Sequence, residues 1–405
     1  MHPLTRLLLP ACFLAGAAAV LFVAFRRAHR RPSPRSEPRG RLDERTTMFS
    51  RAELVPGSER FTAYYADHPG HRAGDDAWRR APGLLRPGTR YWHPLAFPAA
   101  EASFAAIEPL HAVVDGAPAS RRREVDPAAA ARFLKGWLRH LGAVDVGVTR
   151  LRPEHVYAVG GRRERYGQRL VHDLPRAIAF TVEMDHAMVA AAPQASTVME
   201  SALQYHRAAG LAVQAALWIR SLGYRARAHI DGDYLVVCPL VARDAGLGEI
   251  GRMGLLMTPR LGPRVRLGVV TTDLPLPVDA PTHDPSVLDF CAICRKCADA
   301  CPAGAIPAGP RAPVDGVPRW RIDQQACYAF WCRAGTDCAR CVAVCPYSHP
   351  DTWWHRLVRA GVRRSHLLRR LALWGDDLVY GRRPRVRRPP GWLAEEIKTT
   401  GGPPS

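Results

Sequence analysis

Lysine is nearly absent from this chain of 405 residues. Only Lys135, Lys296 and Lys398 are lysines among 57 basic residues, so arginine supplies the other 54. With 37 acidic residues, the formal net charge is +20. A nucleic-acid-binding protein would be expected to show a basic stripe with interleaved aromatic residues or a known module, and neither is present. A basic surface that faces anionic lipid is the better use of this charge.

The chain also lacks the marks of an exported protein. No twin-arginine pair precedes its apolar N-terminal run, and no small-residue cleavage site is evident. The run, residues 7–25, has nineteen residues without a charge, about the minimum for a membrane-spanning helix. Arginines cluster after it, at Arg26, Arg27, Arg30, Arg31 and Arg35. This asymmetry predicts a single anchor with the body on the cytoplasmic side. The alternative is an uncleaved export signal with the body on the periplasmic side.

His229, His283 and His349 show no paired metal-ligand spacing, whereas the cysteines do. Nine of the eleven cysteines lie between Cys291 and Cys345. The first run is Cys291, Cys294, Cys297 and Cys301, followed by Pro302, and the second is Cys338, Cys341 and Cys345, followed by Pro346. This is the two-cluster ferredoxin pattern, in which the cysteine before each proline ligates the cluster of the other run.

Two 4Fe–4S clusters need eight thiolates, so one more cysteine is required. The pattern predicts one set of Cys291, Cys294, Cys297 and Cys345, and a second of Cys301, Cys338, Cys341 and either Cys327 or Cys332. Structural zinc is disfavoured because zinc sites use pairs of cysteines rather than a run of four ending in proline. Free thiols and oxygen-sensitive clusters suit a reducing compartment.

Mixed helices and strands are predicted before the cysteines. Helices are expected from Pro127 to Leu141, after an Asp126 cap, and from Thr197, with Glu200 completing a capping box. Strands are expected near 144–148, 177–182 and 264–272, with a hairpin across Asp231-Gly232. The aromatic residues between 61 and 110 predict loops wrapped on a core. The segments are 1–31, an anchor; 32–110, a tether and wrapping segment; 111–285, a catalytic core; 286–350, the cluster domain; and 351–405, a C-terminal segment that packs back on the core with a basic tail.

A glycine-rich stretch, Gly246, Gly248, Gly251 and Gly254, follows the hairpin. Gly246 to Gly251 spells G-x-G-x-x-G, but the residues before it do not read as the buried strand that a dinucleotide site requires. These glycines are therefore expected to let the backbone lie close to a large flat cofactor or to another chain segment.

Several fragments together resemble the catalytic subunit of the reductive dehalogenases, over about residues 41–393. They include Thr181 to Asp185, Glu200-Ser201 with Tyr205, Ala245 to Arg252, Thr271 to Pro275, and the double cluster followed by Tyr347-Ser348-His349-Pro350. The resemblance implies a mixed α/β (α+β) fold with a nitroreductase-like cobalamin-binding core and a ferredoxin-like domain, here preceded by one transmembrane helix. It also favours Cys327 over Cys332 as the eighth ligand.

The resemblance further implies two 4Fe–4S clusters and a base-off cobalamin that together remove halide from an organohalide. The absence of a D-x-H-x-x-G element is compatible with that mode of cobalamin binding. The resemblance implies Tyr205 as proton donor, with Arg264 or Arg252 beside it, and Gly246, Gly248 and Gly251 against the cofactor. The implied partners are a small organohalide, and a membrane quinol or a soluble ferredoxin or flavoprotein as electron donor.

Two other functions stay open on sequence grounds. One is a related cobalamin and double-cluster enzyme such as an epoxyqueuosine reductase. The other is an electron-transfer module without substrate chemistry. The chain departs from the respiratory members in having its own apolar span and no twin-arginine signal, which leaves its location and its electron donor undecided.

Overall fold

An antiparallel sheet of four strands, in the order β1–β2–β6–β3, forms the centre of the fold. A computed structural model describes residues 40–280, 284–314 and 317–394. Its strands are β1 Asp145–Arg150, β2 Arg176–Glu183, β3 Ala226–His229, β4 Glu249–Ile250, β5 Leu256–Met257, β6 Val265–Thr272, β7 Ala312–Val314 and β8 Val317–Arg319. The pairs β4–β5 and β7–β8 form two small separate sheets.

Helices surround this sheet and make up most of the remaining ordered chain. They are α1 Met48–Ala52, α2 Glu59–Asp67, α3 Pro69–Arg79, α4 Ala96–Ala105, α5 Pro127–His140, α6 His186–Ala190, α7 Ala195–Ser221, α8 Cys238–Asp244, α9 Pro285–Cys294, α10 Lys296–Asp299, α11 Gln324–Ala334, α12 Arg340–Ala343, α13 Trp353–Arg364, α14 His366–Tyr380 and α15 Gly391–Ala394. Short 3₁₀ helices lie at Glu44–Thr46, Glu108–Val113, Pro153–His155, Arg163–Arg165 and Pro346–Ser348.

Strand β2 and helix α7 form the main core. The β2 run is buried on both faces, and Ile178 lies opposite Val148 of β1 and Val270 of β6. Helix α7 packs across β6 and β3. Gly268 allows the ring of Phe180 to lie against β6, since a Cβ there would stand 2.2 Å from its Cζ atom. The mixed α/β arrangement expected from the sequence is confirmed.

The structure agrees with several sequence predictions and corrects others. Helix α5 begins as predicted, with Asp126 accepting from the N–H groups of Ala128 and Ala129. The predicted start of α7 is wrong, because the helix begins at Ala195 and Glu200 serves no capping box. Its carboxylate instead accepts from the Asp185 backbone and the Gln204 amide, tying α6 to α7.

One further prediction holds only in part and another is wrong. The turn of the predicted hairpin forms, with Ile230 paired to Asp233 across Asp231-Gly232, but Val236 pairs with Val156 instead of extending the hairpin. The segment 61–110 forms helices α2, α3 and α4 rather than loops. Its aromatic residues surround buried Asp75, which accepts hydrogen bonds from Arg51, Tyr65 and Trp78. Histidines and charged residues on the exposed sides of these helices interrupt the apolar pattern that would predict a helix from the sequence.

The C-terminal helices α13 and α14 form an antiparallel pair against the cysteine-rich region. Val362 belongs to the apolar cluster around Cys291 and Cys297, and Leu373 packs against it. Within the described residues, no helix is long and apolar enough to cross a membrane. The span predicted at 7–25 lies outside the described residues.

Candidate redox centre and adjoining cavity

The first cysteine set gathers around the end of α9. Cys291 and Cys294 lie on α9, Arg295 takes a left-handed conformation at φ 57°, and Cys297 follows on α10. Cys345 returns before Pro346, and burial together with Cys291 and Cys294 holds its pKa well above the usual range for a thiol. The four thiols line one common space. They form the set that the spacing predicts for one cluster.

The second set combines Cys327, Cys338 and Cys341, which lie close together in sequence, with Cys301 from the first run. Burial raises the pKa of Cys338 to about 12, and Cys327 and Cys301 act on it in the same direction. Burial raises the pKa of Cys341, and so do these three thiols and Cys297 of the first set. The two sets are therefore neighbours, as a two-cluster relay requires.

Cys332 lies apart from both sets. It packs with Met48 and Trp78 and interacts with Tyr328. The structure thus brings Cys327, and not Cys332, to the second set. Both cysteines lie on α11, but they project to different sides of it because five residues correspond to about 500° of helical rotation.

We infer an internal cavity beside the second set from five titratable side chains. Burial raises the pKa of Tyr205, Asp231, Tyr234, Cys238 and Asp337. Asp231, Asp337 and Cys238 raise the pKa of Tyr205 further, and Asp231 and Tyr205 raise that of Tyr234. Each is nevertheless only half-buried. A side chain that is surrounded by protein and still accessible faces an internal space. Asp337 directly precedes Cys338, so this space reaches the second cysteine set.

Arg266, from β6, forms the wall of the cavity beside Tyr205. Its guanidinium lies 4.9 Å from the centre of the Tyr205 ring. Its Nη2 donates to Ser201 Oγ at 2.6 Å and to Asp337 Oδ2 at 3.1 Å, and the Ser201 hydroxyl also donates to Asp337. Burial raises the pKa of Tyr205, and the positive charge of Arg266 opposes that rise.

The arginines predicted to stand beside Tyr205 lie elsewhere. Arg264 is buried and donates to the carbonyls of Ser348 and Met184 and to Glu183. Arg264 lies two residues before Arg266, so both side chains point to the same face of β6. The alternation of side chains along a strand therefore does not tell which of the two arginines lies beside Tyr205. The neighbour of Tyr205 is therefore Arg266.

Arg252 belongs to the first cysteine set. Its guanidinium donates to the carbonyls of Cys291, Pro307 and Gly309, and it lies 4.4 Å from the ring centre of Trp320. Burial lowers its pKa, and Cys297 and Cys291 oppose that shift. Among the described residues, no carboxylate forms an ion pair with it.

The glycine-rich stretch packs against protein rather than opening toward the cavity. A Cβ at Gly248 would lie 2.2 Å from the Met257 carbonyl oxygen, and one at Gly251 would lie 2.7 Å from the Met257 side chain. Gly246 has φ 82° after the end of α8. The second expectation, close approach of another chain segment, describes Gly248 and Gly251. Direct contact of these glycines with the cofactor stays a prediction.

Sequence reasoning missed Arg266, Ser201 and Asp337. In the sequence, Ser201 stands out only as part of the Glu200-Ser201 fragment. Asp337 directly precedes Cys338 and carries no signal of its own. The available signal was a residue with a short polar side chain four positions before Tyr205, on the same face of α7.

Comparisons with known proteins agree with this geometry. The family model described as 4Fe-4S dicluster domain matches residues 290–349. The tetrachloroethene reductive dehalogenase of Sulfurospirillum multivorans is 31% identical over 297 residues, 64% of this chain and 59% of the relative. That of Dehalobacter restrictus is 38% identical over 193 residues, 45% and 34% of the two chains. An epoxyqueuosine reductase of Pseudomonas aeruginosa is 29% identical over 238 residues, 51% of this chain and 60% of that relative.

Solved structures extend the similarity beyond the cysteines. The catabolic reductive dehalogenase NpRdhA, in complex with 3-bromo-4-hydroxybenzoic acid, matches with a TM-score of 0.71 and 26% identity, over 88% of this chain and 49% of that one. A second reductive dehalogenase structure, presented as suggesting a mechanism for B12-dependent dehalogenation, matches with a TM-score of 0.66 and 27% identity, over 77% and 46%. The chain spans less than two thirds of the length of each of these relatives. Sequence and fold are therefore both similar to those of the reductive dehalogenases.

Proposed function

We propose that this protein removes halide from an organohalide by reduction, with electrons delivered through two 4Fe–4S clusters to a base-off cobalamin. The observation that carries the proposal is the pairing of Tyr205 with Arg266 in a cavity that reaches the second cysteine set. The reaction consumes two electrons and one proton, breaks a carbon–halogen bond, forms a carbon–hydrogen bond and releases halide.

The cavity suits a large polar cofactor. Arg266 Nε and Asp337 Oδ1 are buried and have no hydrogen-bond partner among the described residues. Buried polar atoms of this kind are costly unless a partner meets them. Tyr205, Tyr234 and Cys238 add surface to the same space. When bound there, a cobalamin would supply a strongly reducing metal centre.

Tyr205 is the proposed proton donor. Because burial raises its pKa, its hydroxyl stays protonated at neutral pH. The guanidinium of Arg266 over the ring stabilises the phenolate that remains after proton transfer. Asp337 and Ser201 hold Arg266 in place. A general acid fixed beside the reacting carbon would supply the proton directly.

The two cysteine sets would hold the clusters and define the direction of electron flow. Cys291, Cys294, Cys297 and Cys345 would bind the outer cluster, and Cys301, Cys327, Cys338 and Cys341 the cluster next to the cavity. The electrostatic influence of Cys297 on Cys341 supports electron transfer between the two sets, and Asp337 next to Cys338 supports this order. The proposed electron donor is a membrane quinol or a soluble ferredoxin or flavoprotein. The proposed location is the inner membrane, through the run at 7–25, with the body cytoplasmic.

An epoxyqueuosine reductase-like activity is the second candidate, favoured by the relative that matches over 238 residues. An electron-transfer module is the third. Purification of the full chain without oxygen, followed by corrinoid and iron analysis, separates the third from the others. A preparation that binds clusters and takes up no corrinoid would exclude both enzymes.

Halide release then separates the two enzymes. The holoprotein is supplied with a strong reductant and a brominated phenolic acid or tetrachloroethene, the compounds associated with the similar dehalogenases. Released halide and the dehalogenated product are measured. Reduction of epoxyqueuosine in a tRNA stem loop, without halide release from any halide offered, would replace the first candidate with the second.

A further inference from the structure

The pair α13–α14 exposes an apolar stripe to solvent. Leu367, Leu371, Trp374 and Leu378 recur at intervals of four, three and four along α14, so they share one face. These side chains are 52% to 71% exposed. On α13, the exposed apolar residues are Trp353, Trp354, Leu357 and Val358. An apolar surface of this extent that is exposed to solvent marks an interaction site.

Basic residues line this stripe, and acidic residues are turned away from it. Arg356, Arg363, Arg364 and Arg370 are exposed on the same two helices. Between 353 and 380, the acidic residues are Asp376 and Asp377. Asp376 accepts from His349 and Lys296, and Asp377 pairs with Lys296 and Arg382. The outer face is therefore apolar at its centre and positively charged at its rim.

We propose that the α13–α14 pair docks on an anionic membrane surface and that this face is where electrons enter. Tryptophan, leucine and arginine in this arrangement are typical of elements that lie in the interface of a bilayer. Arg356 and Arg363 form exposed ion pairs with Asp351 and Asp284. Such pairs are weak, so their guanidinium groups exchange readily to lipid phosphate. The uncharged run at 7–25 independently brings the chain to a bilayer.

The inner face of the same pair covers the first cysteine set. Val362, Ala372 and Leu373 belong to or pack on the cluster of Cys291 and Cys297. A docked pair therefore places this set about one helix diameter, ~10 Å, behind the membrane interface. This step rests on the proposed function, because it takes the set as a cluster that accepts electrons from a reductant in the bilayer.

The test uses the full chain with vesicles and measures solvent accessibility at the helix pair itself. Hydroxyl-radical footprinting with mass spectrometry measures oxidation of Trp354 and Trp374 in phosphatidylcholine vesicles with and without phosphatidylglycerol. Because the run at 7–25 enters both vesicles, any difference reports the helix pair. Oxidation of both tryptophans should fall severalfold only with phosphatidylglycerol, while exposed Phe133 on α5 stays unchanged.

Variants separate the apolar and charged contributions. The double substitution L371E/L378E should restore oxidation of Trp374, whereas L217E, at an exposed leucine of α7, should not. Each arginine near an anionic surface contributes roughly fivefold in affinity. R363Q/R364Q/R370Q should therefore need a higher phosphatidylglycerol content for the same protection.

Two results would overturn the docking. The first is equal oxidation in both vesicle types. The second is protection that rises with the protein-to-lipid ratio and ignores phosphatidylglycerol, which would identify a second copy of the chain as the occupant. Footprinting does not require the enzyme to turn over. Failure of the proposed dehalogenation and failure of the proposed docking are therefore observed separately.

Discussion

Replacing Arg252 by glutamine should lower the reduction potential of the first cluster. Its guanidinium is buried beside Cys291 and makes no ion pair with a carboxylate in the described part of the chain. A buried cation without a counter-charge is unfavourable, and the anionic cluster is the partner that removes this cost. A positive charge favours the reduced, more negative state of the cluster, so its removal disfavours reduction.

The size of the shift follows from Coulomb's law. For an assumed separation of roughly 7 Å and an effective dielectric constant of about 20, a unit charge contributes about 2.4 kcal/mol. For a one-electron couple this is about 100 mV. The measurement is an anoxic redox titration followed by electron paramagnetic resonance, which resolves the two clusters.

Matched variants make the result specific. Arg252→Lys keeps the charge and should keep most of the potential. Arg264→Gln removes another buried arginine, whose partners are Glu183 and the carbonyls of Met184 and Ser348 rather than a cysteine backbone. A drop in potential with Arg264→Gln equal to that with Arg252→Gln, or no drop with Arg252→Gln in a protein with full iron content, would refute the assignment of Arg252 as counter-charge.

Three further predictions follow from the site and the core. Tyr205→Phe should reduce halide release by about 10²–10⁴-fold, as expected for loss of a general acid, with corrinoid and iron content unchanged; Arg266→Gln should also slow release, and Arg266→Lys should recover part of it. Full turnover by Tyr205→Phe would show that another group is the acid. Cys327→Ser should lower iron content toward four per chain, whereas Cys332→Ser should leave it at eight, and the reverse outcome would exchange their roles. Burial lowers the pKa of His172 to about 4, so the unfolded state binds more protons between about pH 6.5 and 4 and stability falls as pH decreases through that window; chemical denaturation of His172→Gln should show a shallower loss, and an unchanged slope would contradict this.

The cysteine sets were largely predictable because their information is local. A spacing of two or three residues determines which thiols converge on one cluster. A following proline marks the cysteine of each run that ligates the other cluster. Only the eighth ligand needed more than spacing, since Cys327 and Cys332 both lie on α11. Their difference depends on which side of the helix faces Cys301, and that is a tertiary property.

The cavity was less predictable because its residues meet only after folding. Tyr205 on α7 could be selected through resemblance, but its partner depends on how α7 crosses β6. Arg264 and Arg266 share a face of that strand, and the level at which the helix crosses decides between them. The segment 61–110 was misjudged for a related reason, since its helices are stabilised around Asp75 rather than by a continuous apolar stripe.

The contact between Lys296 and α14 has a consequence for how the protein matures. Lys296 directly precedes Cys297, is fully buried, and meets Asp376, Asp377 and the carbonyl of Gly381. A buried ammonium needs these partners before it can leave water. During synthesis they emerge some eighty residues after Lys296. The thiols around Lys296 are therefore not enclosed by these contacts until α14 has been made.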